Sequence, residues 1–262
     1  MKIFLKTPEE IAVARECGQL LSRTLAAVAE AFDVGVTTEH LDHVAAKYIQ
    51  SVGGVPSFKG YQGFPASICA SVNDAVVHGC PSSYKIQEGD IVSIDCGVYY
   101  NGIHTDSAFT FTAGKKVNAQ RLDLLAVTQA SLQKAIEKIT TQNRMGDIGA
   151  AIQSHVEAHG YTIIRDYGGH GIGKNLHESP HIPNFGRSGT GHKIKEGMML
   201  AIEPIVTIGS DLLMEGENKW DVRTQDGKDT AHFEHTLAVV DGKAEIMTTH
   251  EYIEEIIRKK NT

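Results

Sequence analysis

Asp95, Asp106, Glu203 and Glu234 stand at matching places in two stretches of the chain that repeat each other. Glu88-Gly89-Asp90-Ile91-Val92-Ser93-Ile94-Asp95 reads against Glu196-Gly197-Met198-Met199-Leu200-Ala201-Ile202-Glu203, and His104-Thr105-Asp106 reads against His232-Phe233-Glu234. If the two halves pack about a pseudo-twofold axis, four carboxylates converge on it. Like charges repel and desolvation penalises each, so four unpaired carboxylates cannot all stay ionised in a semi-buried site. A multivalent cation relieves both penalties, which makes the chain a metalloenzyme candidate. Oxygen ligands alone suit Mg²⁺ or Ca²⁺, whereas one imidazole moves the preference toward Mn, Fe, Co or Zn. His170, within Gly168-Gly169-His170-Gly171-Ile172-Gly173, is the candidate imidazole. Glycines on both sides let the backbone approach a site closely and leave room for substrate.

Asp95 and Asp106 lie in β-compatible segments joined by a turn containing Asn101-Gly102, a strong hairpin signal. A hairpin brings positions on its two strands to about 5 Å between Cβ atoms, close enough to share a metal. Two other patterns are decoys. The glycines around His170 lack the third glycine of a dinucleotide loop. His177-Glu178-Ser179-Pro180-His181 spells a zinc-peptidase helix, but Pro180 inside that helix costs roughly 3 kcal/mol. His177 remains a candidate if its loop turns back over the metals. So does His78, at the end of an apolar run before Gly79.

The elements that must position these residues can be read as well. Thr7-Pro8-Glu9-Glu10 predicts a helix start with a capping box, followed by Ile11, Ala14, Leu21, Leu25 and Val28 at helical spacing. A second helix is expected from Thr37 or Thr38 to Gly53-Gly54. A glycine-rich loop then carries Phe58, Tyr61 and Phe64, and strands are expected over 68–72, 91–96 and 107–112. The order resets with helices over 120–140 and 147–159 and strands over 161–164, 199–208 and 236–240. A last helix over 253–260 places Arg258, Lys259 and Lys260 at its negative end, as a solvated terminus. The expectation is an α+β fold in one domain, residues 1–262, with duplicated halves of about 1–115 and 116–262.

Bulk properties restrict the setting. A 262-residue chain with 41% apolar and 22% charged residues is an ordinary globular composition, and its net charge of −7 argues against a general nucleic-acid binder. Cys17, Cys69, Cys80 and Cys96 show no paired spacing and read as reduced thiols. The N-terminus lacks the apolar core of a signal peptide, and no run is long enough to span a membrane. A cytoplasmic, soluble protein with no membrane partner is expected.

Asp95, Asp106, His170, Glu203 and Glu234, in that order and with their flanks, resemble the metal site of the pita-bread metallopeptidases (family M24). Within that family the chain is similar to the type I methionine aminopeptidases. The likeness runs from Thr7-Pro8-Glu9-Glu10-Ile11 to His250-Glu251. It includes Ser71-Val72-Asn73-Asp74, His78-Gly79, Gly169-His170-Gly171-Ile172-Gly173, Glu203-Pro204 and Glu234-His235-Thr236. The resemblance implies a pseudo-twofold α+β domain with a central antiparallel sheet and outer helices. It implies removal of the initiator methionine from nascent chains when the next residue is small. Two divalent ions (Mn, Fe, Co or Zn) are implied: Asp95 and Asp106 hold one, His170 and Glu203 the other, and Asp106 and Glu234 bridge. Glu203 would shuttle the proton, His177 would stabilise the carbonyl oxygen, and His78 would bind the scissile amide. Tyr61, Phe64, Cys69 and Trp220 would line the methionine pocket, with Phe58 and Leu176 alongside. Phe58 taken alone reads as packing. Many bacterial relatives carry Cys where Phe58 stands, His at Gln62, Tyr at Phe64 and Phe at Leu176; methionine preference should survive these departures, which bear on pocket depth and inhibitor profile. A monomer and a ribosome contact follow only from the family role.

Three rivals remain in view. An X-Pro peptidase shares the metal cage but usually has an additional N-terminal domain, for which Asp95 leaves no room. A type II methionine aminopeptidase usually carries a helical insertion, and none is visible. A non-catalytic peptide-binding module would have lost ligands.

Overall fold

The computed structural model describes residues 2–216 and 218–260. Helix α1 runs over Pro8–Ala31 and begins as the sequence predicts. The Thr7 hydroxyl accepts from the Glu10 amide, and the Glu10 carboxylate accepts from the Thr7 amide. Such a cap stabilises the helix by about 1 kcal/mol. Ile11, Ala14, Leu21, Leu25 and Val28 are all buried. Helix α2, Thr38–Ser51, is capped by Thr37 and stops just before Gly53, which takes a φ of 78°. Helices α3 (Ala119–Ile136) and α4 (Met145–Ala158) form the second pair, and α5 (Glu251–Lys260) packs on α1. Lys260 differs from the solvated end expected of it. Its ammonium donates to the carbonyls of Ala29, Glu30 and Phe32, satisfying acceptors that the end of α1 leaves open.

The strands form antiparallel sheets in which the duplication is visible. In the first half, strand Ile91–Tyr100 lies between Ile68–Val72 and Ile103–Thr112, with Asn101 (φ 47°) and Gly102 (φ 90°) making the predicted turn. In the second half, Met199–Ile202 lies between Gly168–Gly171 and His235–Val240. The repeated Glu-Gly pair does the same work in both. The amides of Gly89 and Gly197 donate to Ala113 and Val239, whose amides donate back to Asp90 and Met198. Glu88 then caps the amides of Lys115 and Lys116, as Glu196 caps those of Asp241 and Gly242. The strand expected over 199–208 breaks at Glu203-Pro204, because Pro204 has no amide to give the ladder.

Hydroxyls stitch the two halves together where the backbone ladders end. The Asp106 amide donates to Thr236 Oγ1, which donates to the Asp106 carbonyl, both at 2.8 Å. Ser107 Oγ donates to the Glu234 carbonyl, and Thr110 Oγ1 to that of His232. Phe109 meets Phe233 edge-on across the same seam. One buried apolar cluster extends from Cys17 on α1 through Phe111 and Leu237 to Ile253 on α5. Each large side chain buried there is worth about 1.5–3 kcal/mol.

Candidate metal centre

The five candidate ligands, the two further candidate histidines His78 and His177, and the aromatic candidates line one cavity of about 490 Å³. Asp95 is set by register: it lies opposite Cys69 on one neighbouring strand and Ala108 on the other. Asp106 pairs with Gly97, so the two aspartates are diagonal neighbours rather than the directly opposed pair the hairpin suggested. They share a face of the sheet, two ladder positions apart. Glu203 sits at the strand break, with its carbonyl satisfied by the buried Asn184 amide at 2.9 Å. Glu234 heads strand His235–Val240, and its amide donates to Ala108 across the seam.

His170 stands on a strand between Ala201 and His181. Its flanking glycines serve packing rather than leaving room for substrate. A Cβ on Gly169 would lie 2.3 Å from the Ala201 carbonyl oxygen, and one on Gly171 2.4 Å from that of Ser179. The imidazole Nδ1 lies 2.8 Å from the Gly171 carbonyl oxygen, which can only accept. Nδ1 therefore carries the hydrogen, leaving the Nε2 lone pair toward Glu203 Oε1, 3.6 Å away. Burial holds this imidazole neutral, with its pKa lowered to about 3.

The electrostatics of the carboxylates are those of a site built for cations. Burial pushes Asp95 up to about 7. Burial, and then the charges of Glu234 and Asp95, push Asp106 well above the usual range. Glu203 and Glu234 are raised by burial first and by neighbouring carboxylates second. Asp95 Oδ1 and Glu234 Oε1 are buried without a hydrogen-bond partner, and ligand atoms of Asp106, His170 and Glu234 lie within 4.8 Å of one another. Orphaned oxygens and a bare imidazole nitrogen are the donor set that a borderline divalent cation takes. The residues fit such ions.

Around this centre, His177 reaches back over His170, with ring centroids 4.4 Å apart, and its Nδ1 meets Tyr61 Oη at 2.9 Å. Glu178–Pro183 is a strand, so the zinc-peptidase helix is absent as Pro180 required. His78 holds a left-handed φ of 57°, a strained backbone that puts its ring edge-on to Tyr167. Phe64 and Trp220 pack edge to face at 5.2 Å beside Cys69 and Leu176. Phe58, read as packing, lines the cavity with them.

Sequence reasoning missed the support behind His177. Lys6 Nζ meets Glu178 Oε2 at 2.6 Å with both side chains almost fully buried, and Glu178 Oε1 accepts from Asn175. That ion pair fastens the N-terminal segment to the loop carrying Leu176 and His177. It also missed His232, noticed only as a repeat of His104. His232 lines the cavity 3.7 Å from Glu203, whereas His104 bonds Ser57 and packs at a tilt against Tyr99.

The description that matches the chain is metallopeptidase family M24, over residues 12–241. A methionine aminopeptidase of Clostridium perfringens is 47% identical, covering 94% of this chain and 98% of that protein. Methionine aminopeptidase 1 of Bacillus subtilis is 42% identical, covering 94% and 99%. The crystal structure of a methionine aminopeptidase from Thermotoga maritima superposes with a TM-score of 0.92 at 40% identity, covering 95% of this chain and all of that one. A prolidase from Pyrococcus furiosus shares the fold, with a TM-score of 0.77 at 20% identity, over 94% of this chain but 66% of its own.

Proposed function

The chain belongs to metallopeptidase family M24 as a type I methionine aminopeptidase with the pita-bread fold, and from that premise we propose how its residues divide the work. The reaction is removal of the initiator methionine from new polypeptides, and the cofactors are divalent metal ions. In the proposed assignment Asp95 and Asp106 would hold one ion and His170 and Glu203 the other, with Asp106 and Glu234 available to both. The observation that carries it is that four carboxylates line one cavity with the bare Nε2 of His170, ligand atoms of Asp106, His170 and Glu234 lying within 4.8 Å of one another.

Bound there, divalent ions would supply an acidified water and a polarised scissile carbonyl. The chain's own groups do the rest. Glu203 takes the proton of the attacking water and returns it to the leaving amine, a role supported by its raised affinity for a proton. His177 donates to the carbonyl oxygen from Nε2; Tyr61 at Nδ1 is consistent with that tautomer. His78 hydrogen-bonds the scissile amide. Tyr61, Phe64, Cys69 and Trp220 wall the methionine side chain, whose polarizable thioether suits aromatic and sulfur neighbours. The free amino terminus lies against the carboxylate cluster, so a formylated terminus is refused.

One catalytic domain over residues 1–262 is part of the same reading, supported by the apolar cluster shared by both halves. So is action as a monomer in the cytoplasm on chains emerging at the ribosome, with Mn, Fe, Co or Zn as the metal. Among the described residues no helix is long and apolar enough to cross a membrane.

The test is a panel of Met-Ala, Met-Gly, Met-Lys, formyl-Met-Ala and Ala-Pro peptides given to chelated protein refilled with each metal. Methionine release before Ala and Gly alone is expected. Cleavage before proline whatever the first residue would contradict it, and would favour the X-Pro peptidases that share the fold.

A further inference from the structure

His232 is 3% exposed, and its Nε2 is fully buried without a hydrogen-bond partner. A polar nitrogen left so is costly unless something meets it. Its backbone is fixed from both sides by Thr110: the His232 amide donates to Thr110 Oγ1, which donates to the His232 carbonyl. The ring is thereby aimed into the metal cavity, where Nε2 faces Glu203 Oε2 at 3.7 Å. The other oxygen of the same carboxylate faces His170 Nε2 at 3.6 Å. Glu203 thus stands between two imidazoles, one with its lone pair turned in and one with no established task.

We propose that His232 is a positioning residue for Glu203, its Nε2–H donating to Oε2 so that Oε1 is presented to the metal. The statement rests on the assignment of Glu203 as a ligand. A closure of about half an ångström brings the pair into hydrogen-bond range, a small rotation of a side chain that lies beside a cavity. The duplication sharpens the point. His104 occupies the matching place in the first half, but its Nδ1 is taken by Ser57 Oγ at 2.9 Å. The same sequence sign therefore gives a structural imidazole on one side and a site-facing one on the other. Partners that orient a metal ligand are typically worth 10–100-fold in metal affinity or activity.

The measurement is titration calorimetry of Mn²⁺ into chelated protein, for His232→Ala, His232→Leu, His232→Gln, Glu203→Ala and the double variant His232→Leu/Glu203→Ala. Circular dichroism establishes folding, and Leu, close in volume, stands in if Ala unfolds. The expected result is a 10–100-fold weaker ion in His232→Ala or His232→Leu, with His232→Gln within about threefold of the parent because its amide donates from a similar reach. In the Glu203→Ala background the His232 change should add nothing, since it acts through that carboxylate. Parental affinity in His232→Ala and His232→Leu, with Glu203→Ala weakened, would overturn the proposal and leave the ligand assignment standing. Parental affinity in Glu203→Ala would overturn both.

Discussion

Asp106→Asn is expected to lower kcat/KM by about a thousandfold or more while raising the stability of the metal-free protein. The two effects have one cause. Asp106 is buried and raised by desolvation first and by Glu234 and Asp95 second. Its charge is therefore tolerable only beside a cation, and an amide in its place removes the repulsion along with the ligand proposed to serve both ions. Loss of an ion that polarises the carbonyl forfeits several kcal/mol of transition-state stabilisation, and about 4 kcal/mol is a thousandfold. The same substitution should steady the chelated protein by about 1–3 kcal/mol near neutral pH, where the parent must hold either the charge or an unfavourable proton. Thermal melts and steady-state kinetics on one preparation read both. A variant that loses activity and also melts lower when chelated would mean that Asp106 is structural.

Chelated parent protein is expected to lose stability as pH rises above about 6.5, and the metal-loaded protein is not. Asp95 (about 7), Asp106, Glu203 and Glu234 all have folded pKa values above the unfolded range near 4. A group raised on folding stabilises fully below its unfolded value, and that contribution is lost as pH climbs toward its folded value. Buried histidines oppose this at lower pH. His170 and His232 fall to about 3, and His235 to about 4, through burial. Their contribution is present above the unfolded value near 6.5 and lost as pH falls below it. The two trends offset each other between about pH 4 and 6.5. Above that the histidines are neutral in both states and the carboxylates alone remain, each costing up to about 1.4 kcal/mol per pH unit. Melts from pH 6 to 9 with and without Mn²⁺ should diverge by several kcal/mol, the loaded protein staying level because metal binding displaces those protons. Parallel curves would contradict the carboxylate account.

Much of this was legible beforehand, for local reasons. Thr7-Pro8 and Glu10 announce α1 because a capping box needs only four residues, and Asn101-Gly102 announces its hairpin because only a few types accept a left-handed φ. The carboxylates were legible because duplication repeats the whole setting, down to Glu88 and Glu196 capping equivalent loops. What escaped depends on partners distant in sequence. Lys6 meets Glu178 across 172 positions, and nothing near either residue predicts the contact. The diagonal of Asp95 and Asp106 follows from ladder register, which residue types alone leave undecided. His104 and His232 look alike in the repeat and diverge because Ser57 reaches only one of them. The glycines beside His170 were given the right constraint and the wrong neighbour, since backbone rather than substrate fills the space.

Anomalous diffraction from crystals of the protein grown with Mn²⁺ tests the central claim most directly. Two peaks are expected, one among Asp95, Asp106 and Glu234 and one among His170, Glu203, Glu234 and Asp106, both vanishing in Asp106→Asn crystals. Saturating Mn²⁺ that leaves these residues without a peak, or that binds only elsewhere on the molecule, would contradict the account.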